Sequence, residues 1–263
     1  MHTIPSKETL VAFQLSQEIL KNCLGIFVSS LLKGSSSPIQ SRKNKKYYYK
    51  ALSGKGRQDS ELEVITHCLS IGKLPPTWEK YSPSTQKSLG GWITHFCERY
   101  NQYQKWVASD ELTVMWLSGL HFPNSYLISL IQAACHENNW SLDQCSLFTS
   151  VTKFTSDTEI NEKMPIGSYI SGLYLEGASW NEDSGLLEKA KYGELIQPMP
   201  ILKIIPIENH RIKKQNTFCC PVYATSDRCN SLGEGFIFEA YLNTTEHKSF
   251  WILRGVCLLL NKD

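Results

Sequence analysis

The spacing of hydrophobic positions changes near residue 145 of this protein. Before that point they recur at steps of three and four residues, which is the spacing of one face of an α-helix. After it they occur in short runs separated by Gly, Pro, Asn and Asp, which is typical of β-strands joined by turns. The pattern therefore predicts the α+β class, with an N-terminal helical part followed by a β-rich part.

Four helices are predicted in the first part. One covers residues 6–33, a second begins at Ser60 and ends before Pro75, a third carries a broad apolar and aromatic stripe, and a fourth begins at Pro123. The stripe consists of Leu89, Trp92, Ile93, Phe96, Tyr100, Tyr103, Trp106 and Val107. The predicted buried face of the fourth helix consists of Leu127, Ile128, Leu130, Ile131 and Ala134.

Six strands are predicted in the second part. They cover residues 147–153, 168–176, 201–207, 217–225, 235–242 and 250–260. Several short strands with little helix between them favour an antiparallel β-barrel or sandwich over a parallel sheet. We therefore expect a C-terminal antiparallel β-barrel.

Composition shifts divide the sequence into four predicted parts. Residues 1–33 form a helix, and residues 34–58 form an insertion rich in Gly, Ser, Lys and Arg that contains no acidic residue. Such a segment is predicted to be basic and flexible. Residues 59–145 then form a helical half and residues 146–263 a β half.

The overall charge and hydropathy exclude two classes of partner. A net charge of +2 on 263 residues gives no general attraction to nucleic acid or to anionic lipid. The longest apolar run, residues 24–32, is far shorter than the roughly 20 residues of a membrane span. We expect neither nucleic acid nor a membrane as a partner.

Cysteine spacing gives no sign of a metal or redox motif. The nine cysteines include no pair with a two-residue spacer, and the adjacent Cys219 and Cys220 are poorly placed to share one tetrahedral metal. Their odd number favours free, mostly buried thiols in a reducing compartment. No metal site is predicted.

No catalytic constellation is visible in the residues. Gly54-Lys55 lacks the upstream glycine and the following Ser or Thr of a phosphate-binding loop. The histidines are dispersed, and no serine lies in a Gly-x-Ser-x-Gly sequence. His121, His210 and His247 fit polar packing or surface roles, and no spacing selects an acid/base pair from Glu176, Glu208 and Glu239. We predict no catalytic residue, no cofactor-binding residue and no cofactor.

A run of cations and tyrosines occupies residues 42–50. Its sequence is RKNKKYYYK, which resembles nucleic-acid surfaces in composition but fits a solvated insertion better. An acidic protein surface would suit the same charges. The run therefore leaves open a second hypothesis, a free-standing protein-binding module that uses Arg42, Lys43, Lys45 and Lys46.

Five sequence segments in the second half, in this order, resemble segments of a known protein family. They are WLSGLHFPNSYLISLIQAACHENNWSLD, GLYLEGASWN, MPILKIIPI, CCPVYATSDR and FWILRGVCLLL. The sequence from about Asp59 onward resembles the C-terminal region of dynein heavy chains, the axonemal (ciliary) ones in particular. Residues 1–33 are compatible with the helix that ends the last AAA+ module in that family.

The resemblance implies a place in an ATP-driven microtubule motor of the cytoplasm, cytoskeleton and cilium axoneme. In that family the region consists of helices and then a small β-barrel, and it lies across one face of the AAA+ ring. The implied role is a non-catalytic segment that caps and regulates the ring. The implied partners are the ring and other dynein subunits, with microtubules contacted only indirectly. The protein by itself is expected to be no enzyme, because the family's nucleotide sites lie upstream.

Three positions depart from the family pattern. Ala224 stands where relatives usually carry Lys, and Cys229 replaces the second of two paired arginines. Residues 233–236 replace a Ser/Thr/Gly-rich turn that contains a His. These changes indicate a divergent member and put contacts of the missing basic groups in doubt.

Overall fold

The computed structural model describes most of the second half of the protein and part of the first. The described residues are 60–76, 87–109, 112–120, 122–211, 216–224 and 235–261. The predicted helix 6–33 and the basic insertion 34–58 lie outside them. Two compact units meet in sequence between Gln104 and Lys105, and we call them the helical unit and the β unit.

The helical unit contains α1 (Ser60–Ser70) and most of α2 (Leu89–Ser109). Its core consists of Ile65, Trp92 and Phe96. The rings of Trp92 and Phe96 stack with centroids 5.1 Å apart and an angle of 12°. Residues 92 and 96 meet because a four-residue step brings side chains to the same face of a helix.

The predicted stripe of α2 is only partly buried. Trp92, Phe96 and Tyr103 are buried, whereas Val107 near the end of the helix is half-exposed. Residues three and four apart share a helix face, so burial at 92, 96 and 103 is the expected outcome of this spacing. The stripe prediction is confirmed for these three residues and wrong for Val107.

The β unit contains two further helices and eleven strands among the described residues. The helices are α3 (Pro123–Asn138) and α4 (Lys248–Ile252). The strands are β1 (Val114–Trp116), β2 (Cys145–Val151), β3 (Ser168–Ser171), β4 (Tyr174–Glu176), β5 (Ala178–Asn181), β6 (Leu186–Lys189), β7 (Ile196–Pro198), β8 (Leu202–Glu208), β9 (Thr217–Tyr223), β10 (Phe236–Asn243) and β11 (Cys257–Leu259).

These strands form a four-stranded sheet, a five-stranded sheet and a hairpin. The four-stranded sheet has the order β1-β3-β8-β2, and the five-stranded sheet has the order β10-β9-β11-β4-β7. β5 and β6 pair with each other. Most pairs are antiparallel, but β1 pairs with β3 and β11 pairs with β9 in parallel.

The predicted strand 168–176 is two strands that belong to different sheets. Its interruption is Gly172, which has a φ of +81° that residues with a side chain rarely adopt. β3 before it lies in the four-stranded sheet and β4 after it lies in the five-stranded sheet. A Cβ atom at Gly172 would lie 2.3 Å from Cδ1 of Trp116. The point where the backbone crosses from one sheet to the other therefore also requires a residue that has no side chain.

A second crossing lies beside the first. The backbone leaves β7 of the five-stranded sheet and enters β8 of the four-stranded sheet within a few residues. Between them the N–H of Met199 donates to the carbonyl of Leu173, with an N–O distance of 2.9 Å. This backbone hydrogen bond therefore joins the two places where the backbone crosses between the sheets.

None of the sheets closes into a barrel among the described residues. β2 and β10 do approach each other at the sheet edges: the rings of Phe148 and Tyr241 stack at 5.4 Å. However, the N–H of Tyr241 donates to the side-chain hydroxyl of Thr149 at 2.6 Å, and β2 and β10 are not paired as a ladder. The expectation of an antiparallel barrel is therefore not supported, whereas the α+β class and the largely antiparallel sheets are confirmed.

β11 connects the two parts of the five-stranded sheet. It lies between β9 and β4, so the β9–β10 hairpin meets the β4–β7 pair through it. Leu258, at its centre, is fully buried. This three-residue strand is therefore hydrogen-bonded to β9 on one edge and to β4 on the other.

We predict that Gly172→Ala lowers the free energy of unfolding by at least about 2 kcal/mol, because it adds a steric clash to backbone strain. Gly193→Ala is the matched control, since Gly193 has a similar φ of +87° and open space around its Cβ position. We expect about 1 kcal/mol for the control from strain alone. Urea unfolding measures both, and equal losses would show that the contact with Trp116 contributes nothing.

We also predict that Leu258→Ala lowers the free energy of unfolding by about 2–5 kcal/mol through the cavity it leaves in the sheet. Leu253→Ala makes the same chemical change at a side chain that is 87% exposed, and we expect it to stay within about 0.5 kcal/mol of the parent. The same unfolding experiment compares them. A small loss at Leu258 would contradict a central role for β11.

Candidate docking surface

The described residues contain no arrangement for metal chemistry. No group of three or more His, Cys, Asp or Glu side chains among them is placed to hold a metal ion. No helix in the described ranges is long and apolar enough to cross a membrane. Exposed apolar side chains mark interaction sites when they are contiguous, and the described surface carries two groups of them.

The sequence-predicted strand 250–260 is wrong in its first half, and the difference creates such a surface. The structure has α4 up to Ile252, a turn at Gly255 with a φ of +64°, and only then β11. His247 begins the helix by accepting the N–H of Ser249 on Nδ1 at 3.3 Å. Gly255 permits the reversal because glycine adopts positive φ at no steric cost.

Trp251 anchors α4 to the β unit. Its ring is fully buried, and its Nε1–H donates to the hydroxyl of Thr244 at 2.8 Å. Helical residues turn by about 100° per step, so burying Trp251 directs the next two side chains away from the core. Ile252 is accordingly 62% exposed and Leu253 87% exposed.

Two cations cover the ring of Phe250 beside these residues. The guanidinium carbon of Arg254 lies 3.7 Å from the ring centroid, and Nζ of Lys189 lies 5.5 Å from it. The Phe250 ring also meets Trp251 edge-on at 4.8 Å. Cation–π contacts of this kind fix the orientation of an aromatic side chain at a surface. Arg254 and Lys189 over the Phe250 ring therefore form the polar flank of the exposed apolar residues.

The connection between β6 and β7 carries two more exposed apolar side chains, and one of them lies beside this segment. Tyr192 is fully exposed and Leu195 is 80% exposed. The carbonyl of Leu195 accepts the N–H of Gly177 at 3.3 Å, and a Cβ at Gly177 would lie 3.2 Å from the carbonyl oxygen of Arg254. Leu195 and the segment at Leu253 are therefore neighbours across Gly177. We call the side chains of Leu195, Ile252 and Leu253 the α4 corner.

The outer face of α3 is a second, weaker candidate. Its predicted buried face is only partly correct: Leu127 and Ala134 are buried, but Ile128 is 51% exposed. α3 contacts β2, β8 and β10, and Ile128 is turned about 100° from the buried Leu127, toward the solvent. The segment 122–135 contains no charged residue, although an exposed helix face is usually charged.

The remaining candidate residues of the sequence form no common site in their described contacts. Glu208 binds Arg211 at 2.9 Å and lies 3.9 Å from His210, and His247 starts α4. Glu176 lies 3.7 Å from the sulfur of Cys257, and Glu239 is exposed on β10. These contacts bring no pair of the three carboxylates together.

The cysteine pair and the divergent positions have structural surroundings where they are described. Cys220 is fully buried in β9, as predicted, and Cys219 is partly exposed. The N–H of Ala224 donates to the carbonyl of Gly235 at 2.8 Å. Cys229, His121 and the basic run 42–50 lie outside the described residues.

A comparison with protein families identifies this architecture. Residues 41–260 match the family model described as the C-terminal domain of the dynein heavy chain. The protein belongs to this family of dynein C-terminal domains. The resemblance to the C-terminal region of dynein heavy chains is thereby confirmed, and the relatives below confirm its axonemal part.

The relatives of this dynein C-terminal domain are axonemal and flagellar heavy chains. It is 52% identical over 214 residues to dynein axonemal heavy chain 10 of Homo sapiens, an alignment that covers 81% of this sequence and 5% of that protein. It is 42% identical over 259 residues to the dynein-1-alpha heavy chain of the flagellar inner arm I1 complex of Chlamydomonas reinhardtii, covering 98% of this sequence and 5% of that protein. The dynein C-terminal domain described here thus spans a small fraction of the length of the relatives it matches.

A more distant relative gives the same assignment. The dynein beta chain of the flagellar outer arm of Chlamydomonas reinhardtii is 32% identical over 211 residues, which cover 80% of this sequence and 4% of that protein. Inner-arm and outer-arm heavy chains therefore both carry this dynein C-terminal domain, and the similarity does not depend on one arm type.

We predict that Thr244→Val loosens the α4 corner, because it leaves the buried Nε1–H of Trp251 without its acceptor. The expected loss is about 1–3 kcal/mol in the free energy of unfolding. Thr244→Ser keeps the hydroxyl, and we expect it to retain most of that stability. Chemical unfolding compares the two, and a loss at Thr244→Val that is no larger than the loss at Thr244→Ser would contradict a stabilising role of the hydrogen bond.

Proposed function

We propose that this protein is the C-terminal part of an axonemal dynein heavy chain, and that it docks on the AAA+ ring and regulates its cycle during ciliary movement. Family membership supports a place in a dynein motor. The observation that carries the docking role is the α4 corner, a set of exposed apolar side chains held in place by a buried tryptophan.

The composition of the corner suits a protein interface. Interface cores are enriched in aromatic residues and Arg, and a rigid anchor lowers the entropy lost on binding. Leu195 and Leu253 provide apolar surface, while Arg254 over Phe250 provides a polar rim. Trp251 supplies the rigidity, since its burial and hydrogen bond hold the corner before a partner arrives.

The α4 corner would regulate the cycle of the ring if it binds two conformations of the ring with different affinities. A bound segment shifts a conformational equilibrium only by the difference between its affinities for the two states. A tenfold difference corresponds to about 1.4 kcal/mol, which loss of one well-packed leucine contact can supply. The role is therefore one of packing, and we propose that ATP is hydrolysed elsewhere in the heavy chain.

A binding experiment tests the docking role. An axonemal dynein ring that ends before its own C-terminal domain would be mixed with this protein, and the dissociation constant measured by calorimetry. We predict that Leu195→Asp together with Leu253→Asp weakens binding at least about tenfold, because charges replace apolar side chains at the centre of the contact. Circular dichroism would verify that the variant keeps its fold.

Leu142→Asp is the matched control, since Leu142 is also more than half exposed but lies outside the α4 corner. Equal weakening by control and test variants would remove the assignment to the corner. Unchanged binding by the double variant would contradict docking through it. ATP turnover by the isolated protein at the rate of a motor domain would contradict the non-catalytic role.

A further inference from the structure

Two positively charged side chains share one aromatic ring at the edge of the α4 corner. The guanidinium carbon of Arg254 and Nζ of Lys189 lie over the ring of Phe250, at 3.7 Å and 5.5 Å from its centroid. Both cationic residues are exposed. Two like charges beside the apolar side chains of the corner restrict what a partner can present at this place.

The end of α4 fixes the backbone at Arg254. The N–H of Gly255 donates to the carbonyl of Ile252 at 2.9 Å, and the N–H of Val256 donates to the carbonyl of Trp251 at 3.2 Å. These two bonds, together with the positive φ of Gly255, form the Schellman motif that ends many helices. Arg254 directly precedes the glycine of this motif, so its side chain starts from a defined position.

The Arg254 side chain then returns to Phe250, four residues earlier. Residues four apart lie on the same side of a helix, which brings the guanidinium onto the ring. Contact with an aromatic ring orients a guanidinium without using its N–H donors. The donors of Arg254 therefore remain available to an acceptor on a partner.

The β5–β6 hairpin brings Lys189 to the same ring. Lys189 is the last residue of β6 and pairs with Ala178 of β5. Side chains two apart in a strand lie on the same face, so Lys189 shares a face with the buried Leu187. Glu188 lies on the other face, where it accepts a hydrogen bond from Nδ2 of Asn181 at 2.7 Å. The carboxylate nearest to Lys189 in sequence is therefore bound elsewhere.

In the described part of the sequence, neither Arg254 nor Lys189 forms an ion pair with a carboxylate. Water solvates both charges while the α4 corner is free. A partner that covers the corner removes part of this water, and a charge that loses its water without a compensating group is costly. A neutral apolar partner would therefore bind the corner poorly, because it would leave two cations without a counter-charge.

We propose that the segment of the AAA+ ring that binds the α4 corner carries an Asp or Glu beside its apolar residues, and that Arg254 and Lys189 select it. This inference rests on the docking proposed above. The planar guanidinium of Arg254 can donate two parallel hydrogen bonds to a carboxylate. Lys189 adds a second positive charge that attracts the same acidic segment. The apolar side chains of the corner then exclude water from this contact.

A cross-linking experiment tests the contact on the unmodified protein. A carbodiimide joins a lysine amine to a carboxylate that touches it: the amide forms, and the water lost is taken up by the carbodiimide, which becomes a urea. The protein would be mixed with the axonemal dynein ring that ends before its own C-terminal domain, treated with the reagent and mapped by mass spectrometry. We expect an amide between Lys189 and an Asp or Glu of the ring. Lys189→Arg should retain binding and lose this product.

Calorimetry tests the charge requirement with a matched control. Arg254→Gln should raise the dissociation constant roughly fivefold or more at low salt, and binding by this variant should depend less on salt. Lys153→Gln also removes one positive charge, at an exposed side chain after β2 that is not part of the corner or its flank. We expect it to change the constant by less than about twofold. Arg254→Lys keeps the charge without the planar guanidinium, and we expect an intermediate loss.

The outcomes separate this inference from the docking on which it rests. Equal dissociation constants for the wild type and Arg254→Gln would overturn the selection of an acidic segment but leave docking intact, and so would binding without a cross-link from Lys189. Unchanged binding by the variant that combines Leu195→Asp with Leu253→Asp would overturn both. The cross-link and the salt dependence of the wild-type protein need no variant, so a variant that fails to fold does not hide the result.

Discussion

The position of β11 is the constraint on which the β unit depends. Only three residues long, it is paired on both edges, and it brings the β9–β10 hairpin together with β4 and β7. The residue after it is held as well: the N–H of Leu260 donates to the carbonyl of Tyr223 at 2.9 Å, and the hydroxyl of Ser118 donates to the carbonyl of Leu260. Because α4 and the turn at Gly255 lead directly into this strand, its pairing also positions the α4 corner.

The α4 corner satisfies two opposed requirements within one turn of helix. Trp251 must be buried with its N–H bonded, because an indole donor left unpaired in the interior is costly. Leu253 must remain outside, which costs solvation unless a partner covers it. The Thr244 hydroxyl meets the first requirement, and the docking proposed above would meet the second.

The sequence predicted the long regular elements well and the short ones poorly. β2, β8, β9 and β10 are recognisable because each is seven or eight residues long, and β8 and β9 also alternate between buried and partly buried positions. β1, β7 and β11 have three residues each, too few to establish a period, and their pairing comes from tertiary contacts. Leu195 and Leu253 resemble core residues in sequence, so the α4 corner was not predictable. The family was recognised from specific sequence segments, because hydrophobic spacing alone does not distinguish one family from another.

The arrangement of the five-stranded sheet has a consequence for synthesis on the ribosome. β4 and β7 emerge long before β9, and neither group acquires its shared neighbour until residues 257–259 have left the exit tunnel. Both groups therefore keep an exposed strand edge until β11 pairs with them. Pairing between segments that are distant in sequence is slow. Unpaired edges invite association with other polypeptides. Folding of this unit is thus completed only after its last strand is made, and a nascent polypeptide is most in need of chaperones just before β11 appears.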